Sequence, residues 1–257
     1  MKVAIAGAGG RMGRVLIDAV LADRELELAV ALDAAGSPAL GQPAGSLTIG
    51  SDLGALASAD VLIDFTRPEG TLAHLEACRQ HGKPMVIGTT GFSAAQTQRI
   101  AEGARRLPIV LSPNFAIGVN VVFRLAQTAA AALGDAYDVE IVEAHHRHKV
   151  DAPSGTALKL GELVAGALGR DLGKVATHGR SGDIGERPAR AIGFHAIRGG
   201  DIVGEHTVIF AGAGERVEVA VRSQSRQTYA VGALRAAKWL RGRAPGLYDM
   251  FDVLGLK

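Results

Sequence analysis

The sequence has few of the features that mark specialised protein classes. It contains one cysteine, Cys78, in 257 residues, so no internal disulfide can form. No Cys/His ligand spacing surrounds Cys78, and we expect a small buried apolar side chain there and no metal site. Internal repeats and low-complexity tracts are absent as well, which favours an ordinary globular fold.

Neither sign of charge is in excess. The chain has 28 Lys and Arg residues against 26 Asp and Glu residues, for a net charge of +2. A protein held on nucleic acid by counterion release needs a concentrated basic face, so we expect no nucleic-acid partner. Apolar residues make up 47% and charged residues 21% of the chain, which is typical of a soluble protein with one large domain or two modest ones.

Long uninterrupted apolar runs are also missing. The longest apolar stretch, Phe115–Leu133, is interrupted by Asn120, Arg124 and Gln127, which favours a buried helix over a membrane span. Strand-like sequence begins at Lys2, and no charged segment followed by an apolar segment precedes it. We therefore expect a cytoplasmic protein without a membrane partner.

What the sequence does contain is an alternation of short apolar runs and helical patterns over residues 1–116. Such strands, separated by helices, are typical of a parallel sheet covered on both faces. Right-handed crossovers then predict a Rossmann-type, doubly wound α/β fold. The predicted strands are Val3–Ala6, Leu28–Leu32, Val61–Phe65, Met85–Ile87 and Ile109–Leu111.

The pattern changes after Asn114. A helix over 118–133, a strand at Val139–Ala144 and a helix from Pro153 to about Leu168 are predicted, and the aperiodic residues 170–190 predict a long loop. Three strand-like runs follow, at Ala191–Ile197, Ile202–Phe210 and Arg216–Ser223, and we expect them to form an antiparallel meander.

The last segment, Thr228–Arg241, carries the apolar stripe of a helix. We expect it to return to the first domain, because a doubly wound sheet needs helices on both faces. The prediction is thus two domains: residues 1–116 plus 226–257 bind a dinucleotide, and residues 117–225 form an α+β domain on an open mixed or antiparallel sheet.

The first strand leads into a glycine-rich turn, Gly7–Gly13, with the sequence GAGGRMG. Glycine permits positive φ angles and lets the backbone approach a pyrophosphate at a helix N-terminus. Met12 occupies the third glycine position of the usual G-x-G-x-x-G pattern, and Gly13 follows it. Asp33 ends the second strand twenty residues beyond Gly13, where it is suited to bind the ribose hydroxyls of NAD.

The residue after this aspartate bears on the choice of nicotinamide cofactor. A 2′-phosphate needs a cation nearby, and Ala34 offers none, with Arg11 as the nearest substitute. We therefore expect NADH to be preferred or equal to NADPH. A glycine-rich turn in some other α/β protein remains the alternative explanation of the motif.

The densest chemistry lies in EAHHRHKVDAPSGTA, from Glu143 to Ala157. Three histidines, an arginine and a lysine stand within five residues at a predicted strand end. Such a run is often a solvated loop, but packing cations together costs energy unless an anion joins them. Ser154–Gly155–Thr156 also opens a helix, whose free N–H groups bind carboxylates. We predict a small substrate with one or two carboxylates and a His or Lys proton donor.

In these residues the chain resembles the bacterial dihydrodipicolinate (4-hydroxy-tetrahydrodipicolinate) reductase family of lysine and diaminopimelate biosynthesis. Residues 143–157 resemble its most specific motif, and essentially the whole chain follows the family pattern. The resemblance implies NAD(P)H-dependent reduction of a cyclic imine dicarboxylate and a homotetramer formed through the second domain's sheet. The other matching segments are AGAGGRMG (6–13), IDFTRPEGTL (63–72), VIGTTGF (86–92) and GDIVGEHTVIF (200–210).

The resemblance also implies residue roles. His145 becomes the proton donor and Lys149 the second catalytic residue, while His146, Gly155 and Thr156 bind substrate. Some family members carry arginine after the acidic residue, and Ala34 departs from them, which favours NADH. The implied cofactor residues are Gly7, Ala8, Gly9, Gly10, Arg11, Met12, Asp33, Arg67, Gly88, Thr89, Thr90, Ser112, Pro113, Asn114 and Phe115.

Other histidines and other functions stay open at this point. We expect His74 and His81 at the surface of a helix, and for His206 a structural hydrogen bond and a substrate contact are equally compatible with the sequence. One alternative function is a different two-domain dehydrogenase, acting on a sugar or an amino-acid semialdehyde. Another is a redox-sensing NAD-binding regulator, against which the HHRHK run speaks because a sensor needs no proton donor.

Overall fold

Thirteen strands form three sheets in the computed structural model, which describes residues 1–257. They are β1 Lys2–Ala6, β2 Glu27–Leu32, β3 Pro43–Ala44, β4 Leu47–Thr48, β5 Val61–Asp64, β6 Met85–Ile87, β7 Pro108–Leu111, β8 Asp138–His145, β9 Ala176–His178, β10 Ile192–Arg198, β11 Gly204–Ala211, β12 Arg216–Ser223 and β13 Gly246–Tyr248.

Eight α-helices accompany the strands, with short 3₁₀ turns at Leu53–Ser58 and Gly134–Ala136. The helices are α1 Arg11–Ala22, α2 Pro68–His81, α3 Ala94–Ala104, α4 Ile117–Leu133, α5 Gly155–Ala167, α6 Leu172–Val175, α7 Gln227–Trp239 and α8 Met250–Leu254. The chain divides into two units, residues 1–117 with 226–257 and residues 118–225.

The first unit contains a six-stranded sheet in the order β13-β7-β6-β5-β1-β2, and every neighbouring pair is parallel. The predicted doubly wound parallel sheet is thereby confirmed. β1 lies between β5 and the edge strand β2, and its Val3, Ala4, Ile5 and Ala6 are all fully buried. The short edge strand β13 was not predicted, because Gly246–Tyr248 lacks the continuous apolar run that marks the other strands of this sheet.

Helices cover both faces of this sheet. One face packs against α1, α7 and α8 through residues such as Leu16, Ala233 and Met250. The other face packs against α2 and α3 through Leu75 and Ile100, among others. Cys78 lies in this second layer, fully buried, and burial raises the pKa of its thiol to about 12. It is the small apolar core residue that its isolation in the sequence suggested.

The second unit contains a five-stranded mixed sheet in the order β12-β11-β8-β10-β9. The predicted meander is wrong: β8 lies between β10 and β11, parallel to the first and antiparallel to the second. Only β11 and β12 form a hairpin. Alternating polarity determines which face of a strand is buried, but it does not specify the neighbouring strand. The turn after β10 passes the end of β8, where the Gly199 N–H donates to the His145 carbonyl at 3.0 Å.

The predicted loop over 170–190 is also partly wrong, since it includes α6 and β9, and β9 pairs parallel to β10. Ion pairs hold the segment that follows. The two terminal nitrogens of Arg180, Nη1 and Nη2, each lie 2.8 Å from a carboxylate oxygen of Glu140. Arg187 Nε lies 2.8 Å from Glu140 Oε1. Burial would raise the pKa of Glu140, but hydrogen bonds from Arg180, Arg187 and His195 outweigh it and lower that pKa to about 2. Charge, instead of an apolar stripe, orders this segment, which explains its lack of periodicity.

Helix α4 and the following turn, Ile117–Ala136, are long and apolar enough to cross a membrane by length and composition alone, with a mean hydropathy of 1.3. The core helix of a soluble protein passes the same test. A third of the apolar window is buried, and the buried residues of α4 recur at helical spacing, which is typical of a helix that packs by one face. They are Val119, Asn120, Val122, Phe123, Ala126 and Ala130.

Candidate active site

The glycine-rich turn of the first unit is built from close backbone approaches. Gly7 adopts a φ of 75°, which favours glycine. A Cβ on Gly13 would lie 2.0 Å from the Gly7 carbonyl oxygen, so only glycine lets α1 start this close to the turn. The Ala8 N–H donates to the Leu32 carbonyl at 2.9 Å and ties the turn to β2. Gly13 thus fills the close-packing role of the third glycine, one position later than in the usual pattern.

The turn borders a cavity of about 820 Å³, within the size range of small-molecule sites. Four of the predicted cofactor residues line it: Gly7, Gly10, Asp33 and Arg67. Ala34 lines it too, and its side chain brings no charge to the wall. Gly10 begins α1 without a side-chain cap, and no acidic residue stands in the first turn. The first N–H groups of this 12-residue helix therefore lack a capping side chain, and the site fits the pyrophosphate and ribose of a dinucleotide.

The other predicted cofactor residues differ in how far they are exposed to solvent. Gly88 packs against the Phe65 ring, which a Cβ would approach to 2.3 Å. Ser112 Oγ donates to the Asn114 carbonyl at 2.8 Å, and Phe115 is 1% exposed with its ring against Phe65. These residues form core packing in the first unit. Arg11, Thr90 and Pro113 are exposed, and Gly9 and Met12 are half-buried.

A buried polar network in the first unit was missed from sequence. Asp64 is fully buried, and its carboxylate accepts hydrogen bonds from Thr66, Thr71 and Thr89. Those hydrogen bonds all reach Asp64 Oδ1, and the other carboxylate oxygen, Oδ2, lies 2.7 Å from His74 Nδ1. The expectation of a surface His74 is wrong, since its side chain is 12% exposed. Thr71 and His74 stand three residues apart on one face of α2, and that spacing is the signal that could have revealed the network.

In the second unit, His145 ends β8 and is 9% exposed. Its Nδ1 lies 2.6 Å from Glu143 Oε2. Arg198 binds the same carboxylate with both terminal nitrogens, at 2.7 Å each. The parallel pairing of β8 with β10 sets Arg198 opposite His145 and so brings it within reach of Glu143. Neither Glu143 nor Arg198 was predicted as a partner of His145.

His206 on β11 has a structural hydrogen bond. Its Nε2 lies 2.9 Å from Ser154 Oγ, which also accepts from the Ala157 N–H at 3.1 Å and caps α5. The His206 ring stands edge-on to His145, with 5.1 Å between centroids. His206 therefore packs against the His145 ring and contacts Ser154, the residue that caps α5. Gly155 and Thr156 are the first two residues of that helix.

The remaining predicted residues lie in the turn after β8. Lys149 Nζ contacts both carboxylate oxygens of Asp151, at 2.7 and 2.9 Å. The His146 ring lies 6.3 Å from that of His148, and its buried Nδ1 has no hydrogen-bond partner in the protein. The second unit thus brings together His145, His146, Lys149 and the start of α5 on the side of the sheet where β8 ends.

Burial and neighbouring charges shift the pKa values of these groups. Burial lowers the pKa of His145 below its ordinary value, against the opposing effect of Glu143. Burial would raise the pKa of Glu143, but hydrogen bonds from Arg198 and His145 outweigh it, so the carboxyl stays ionised. Burial lowers the pKa of His206 to about 4, which keeps that ring neutral. Among residues 1–257, no group of three His, Cys, Asp or Glu side chains is arranged to hold a metal ion.

Comparison with known proteins gives matches along the whole chain. A family model described as dihydrodipicolinate reductase, N-terminus, matches residues 1–115, and one described as dihydrodipicolinate reductase, C-terminus, matches residues 118–254. The 4-hydroxy-tetrahydrodipicolinate reductase of Thiobacillus denitrificans is 58% identical over 265 residues, covering 100% of this chain and 99% of the relative. The enzyme of that name from Burkholderia vietnamiensis is 57% identical over 266 residues, covering 100% of both.

A solved structure shares the fold. The dipicolinate-bound dihydrodipicolinate reductase from Paenisporosarcina sp. TG-14 is 28% identical, with a TM-score of 0.80 and 98% of each chain covered.

Proposed function

This chain belongs to the dihydrodipicolinate reductase family, and we propose that its His145 and Lys149 perform the acid–base chemistry of that family's reaction. The enzyme is an NAD(P)H-dependent reductase that converts 4-hydroxy-tetrahydrodipicolinate to tetrahydrodipicolinate in lysine and diaminopimelate biosynthesis. Relatives named for this activity are 57% and 58% identical over the whole chain.

The observation that carries the residue assignment is the setting of His145. One of its ring nitrogens is held by a buried carboxylate, at 2.6 Å, while Lys149 and the start of α5 stand close by in the same unit. A histidine held in this way, beside a cation and a helix N-terminus, suits proton donation to an anionic substrate. The unpartnered Nδ1 of His146 offers one further hydrogen bond to that substrate.

The reaction needs charge stabilisation and a proton. The 4-hydroxyl and a proton from the adjacent ring carbon leave as water, which gives a conjugated cyclic imine, and the reduced nicotinamide, when bound, supplies a hydride to that imine. Negative charge then builds on the substrate, and the Lys149 ammonium stabilises it at the ring nitrogen or a carboxylate. For this, Lys149 exchanges its Asp151 contact for the substrate. His145 donates the proton that the resulting enamine requires, a contribution of roughly 10²–10⁴ in rate.

The binding residues divide between the two units. In the second unit, Gly155 and Thr156 bind a substrate carboxylate at the start of α5. In the first unit, Asp33 binds ribose hydroxyls, the Gly7–Met12 turn binds the pyrophosphate, and Arg67 lies at the nicotinamide end of the cofactor. The segments 88–90 and 112–115 support this cofactor site. With Ala34 beside Asp33, NADH is preferred or equal to NADPH.

The assembly and location of the enzyme belong to the same proposal. The family resemblance supports a homotetramer formed through the mixed sheet of residues 118–225, acting in the cytoplasm. Size-exclusion chromatography with light scattering measures the assembly directly: a mass four times that of the chain supports it, and a monomer contradicts it.

The activity is tested by mixing the protein, NADH and the condensation product of pyruvate with aspartate semialdehyde. Loss of absorbance at the nicotinamide band, dependent on that product, supports the function. NADH oxidation with a sugar ketone or an amino-acid semialdehyde alone would favour the other dehydrogenase function. Tight NADH binding without turnover on any of them would favour a redox-sensing regulator.

A further inference from the structure

Glu143 contacts the proposed proton donor, and its burial is energetically costly. It is 1% exposed, and burying an ionised carboxylate is unfavourable unless its oxygens are fully hydrogen-bonded. Here they are. Oε2 lies 2.6 Å from His145 Nδ1 and 2.7 Å from Arg198 Nη1, and Oε1 accepts from Arg198 Nη2 at 2.7 Å and from the Ser154 N–H at 3.1 Å.

We propose that Glu143 is a positioning residue for the proton donor. It keeps one proton on His145 Nδ1, directs Nε2 to the substrate, and stabilises the imidazolium from which the proton is given. Arg198 fixes the orientation of the Glu143 carboxylate through its two parallel hydrogen bonds. The inference rests on the proposed function, in which His145 is the donor.

The proton balance follows from the hydrogen bonds. Because Glu143 is ionised, it accepts from His145 Nδ1–H, which leaves Nε2 as the only ring nitrogen able to exchange a proton with substrate. When the Nε2–H bond breaks, the proton passes to the substrate carbon and His145 becomes neutral with its Nδ1–H retained. Nε2 regains a proton from water before the next turnover.

Among the groups around His145, Glu143 is the one that favours the charged imidazolium. On neighbouring elements, Lys149 in the turn after β8 and Arg198 on β10 both disfavour the imidazolium, and His206 on β11 is neutral. Asp151 is engaged by Lys149. The hydrogen bond and the charge of Glu143 raise the pKa of His145, whereas burial lowers it. Without Glu143, the ring would hold its second proton only at lower pH.

The pH dependence of kcat tests this with two substitutions of opposite effect. In Glu143→Gln the carboxylate charge is lost, so the basic limb of the profile moves to lower pH by about one unit, which alone lowers kcat near neutral pH by about tenfold. Loss of the ring's orientation brings the total fall in kcat to about 10²-fold. In Arg198→Gln a cation near His145 is lost while Glu143 remains, so the limb moves to higher pH. A merely structural role for Glu143 would leave the basic limb of Glu143→Gln in place.

The matched control is Glu140→Gln. Glu140 lies on the same strand with two arginines and a histidine as partners of its own, and its hydrogen bonds do not involve His145. We expect it to leave the basic limb in place. A limb that is unchanged in Glu143→Gln, or that moves equally in Glu140→Gln, overturns the proposal. If Glu143→Gln does not fold, Glu143→Asp carries the test, because the shorter side chain keeps the charge but draws the carboxylate away from His145 Nδ1, and a limb that stays in place overturns the proposal.

A measurement without turnover separates this inference from the proposed function. The His145 ring proton, assigned by its loss in His145→Gln, is titrated by NMR in the full-length protein, where Glu143→Gln should lower the pKa and Arg198→Gln should raise it. The absence of these shifts overturns the role of Glu143 even where the enzyme is active. If the shifts occur but His145→Gln turns over normally, the donor assignment fails and the inference that rests on it falls with it.

Discussion

The Asp33 carboxylate accepts a hydrogen bond from the Gly9 backbone N–H, with 2.7 Å between Oδ2 and the nitrogen. Its other oxygen accepts from the Ala34 N–H at 2.8 Å. The end of β2 is thereby tied to the glycine-rich turn, and Asp33 is held in one orientation at the wall of the cavity beside that turn. A carboxylate fixed there receives ribose hydroxyls well and repels a 2′-phosphate.

The first prediction concerns cofactor choice. For the native protein, kcat/KM with NADH should equal or exceed that with NADPH. Ala34→Arg should move the ratio about tenfold towards NADPH, because a charge-assisted hydrogen bond to the 2′-phosphate is worth about 1.5–3 kcal/mol. Ala34→Gln, which adds length without charge, is the control. A strong NADPH preference in the native enzyme would contradict the assignment.

The second prediction concerns Gly13. A Cβ there would meet the Gly7 carbonyl oxygen at 2.0 Å and Ala8 Cα at 2.7 Å. Gly13→Ala should therefore destabilise the protein by about 1–3 kcal/mol and weaken NADH binding, measured by nucleotide fluorescence titration. At Gly50 a Cβ meets no atom within 4 Å, so Gly50→Ala should change neither quantity. Wild-type NADH affinity in Gly13→Ala would show that the turn tolerates a side chain.

The third prediction concerns the two proposed catalytic residues. His145→Gln and Lys149→Ala should each lose about 10²–10⁴ in kcat while keeping NADH affinity, because both lie in the unit that does not contain the glycine-rich turn. Steady-state kinetics and nucleotide titration separate the two effects. His148→Gln replaces an exposed histidine of the same turn and should stay near wild type. Near-normal kcat in Lys149→Ala would withdraw its catalytic role.

The fourth prediction concerns the double use of Ser154 Oγ, which caps α5 and contacts His206. Ser154→Ala should lose a cap worth about 0.5–2 kcal/mol and also leave a buried histidine nitrogen unsatisfied, at about 1–3 kcal/mol. Chemical denaturation measures the total. Ser93 caps α3 and sits in an exposed position, so Ser93→Ala should lose the cap alone. Equal losses in the two variants would mean that the His206 contact adds nothing.

The fifth prediction concerns acid stability. The pKa of His206 is lowered to about 4 by burial, while an unfolded histidine titrates near 6.5. Between those values the unfolded chain binds a proton that the folded chain does not, so lowering the pH should reduce the free energy of unfolding by about 1.4 kcal/mol per unit from this residue. The contribution is complete above about pH 6.5 and lost towards pH 4.

His206→Gln should remove this one-proton slope from the pH dependence of unfolding, whatever its effect on stability at neutral pH. His81→Gln replaces an exposed histidine on α2 and serves as the control. An unchanged slope in His206→Gln would show that the ring is already protonated in the folded state.

Local sequence was enough to predict where much of the candidate site lies in the fold. The glycine turn and Asp33 were predictable because each follows a short buried strand, and the carboxyl ends of parallel strands meet at one edge of the sheet. The HHRHK run and the start of α5 were predictable because they are consecutive in the chain. The Rossmann-type sheet was predictable for five of its six strands, since each has a continuous apolar run.

Contacts distant in sequence were not predictable. Arg198 lies 55 residues from the Glu143 carboxylate that it binds, and its sequence context is an ordinary strand end. Only the position of β8 between β10 and β11 brings the two together, and alternating polarity is compatible with several strand orders. The burial of His74 against Asp64 was missed although a local signal, the spacing of Thr71 and His74 on α2, was present.

The sequence by itself determined that this chain folds as a Rossmann-type domain with a second α+β domain, and it identified the candidate residues for binding a dinucleotide and a dicarboxylate. Short-range patterns carry that information because strands, turns and helix starts involve neighbouring residues. The tertiary structure alone decided which groups surround His145 and set its proton affinity. Those groups come from three strands, and strand order depends on long-range packing that no local pattern records.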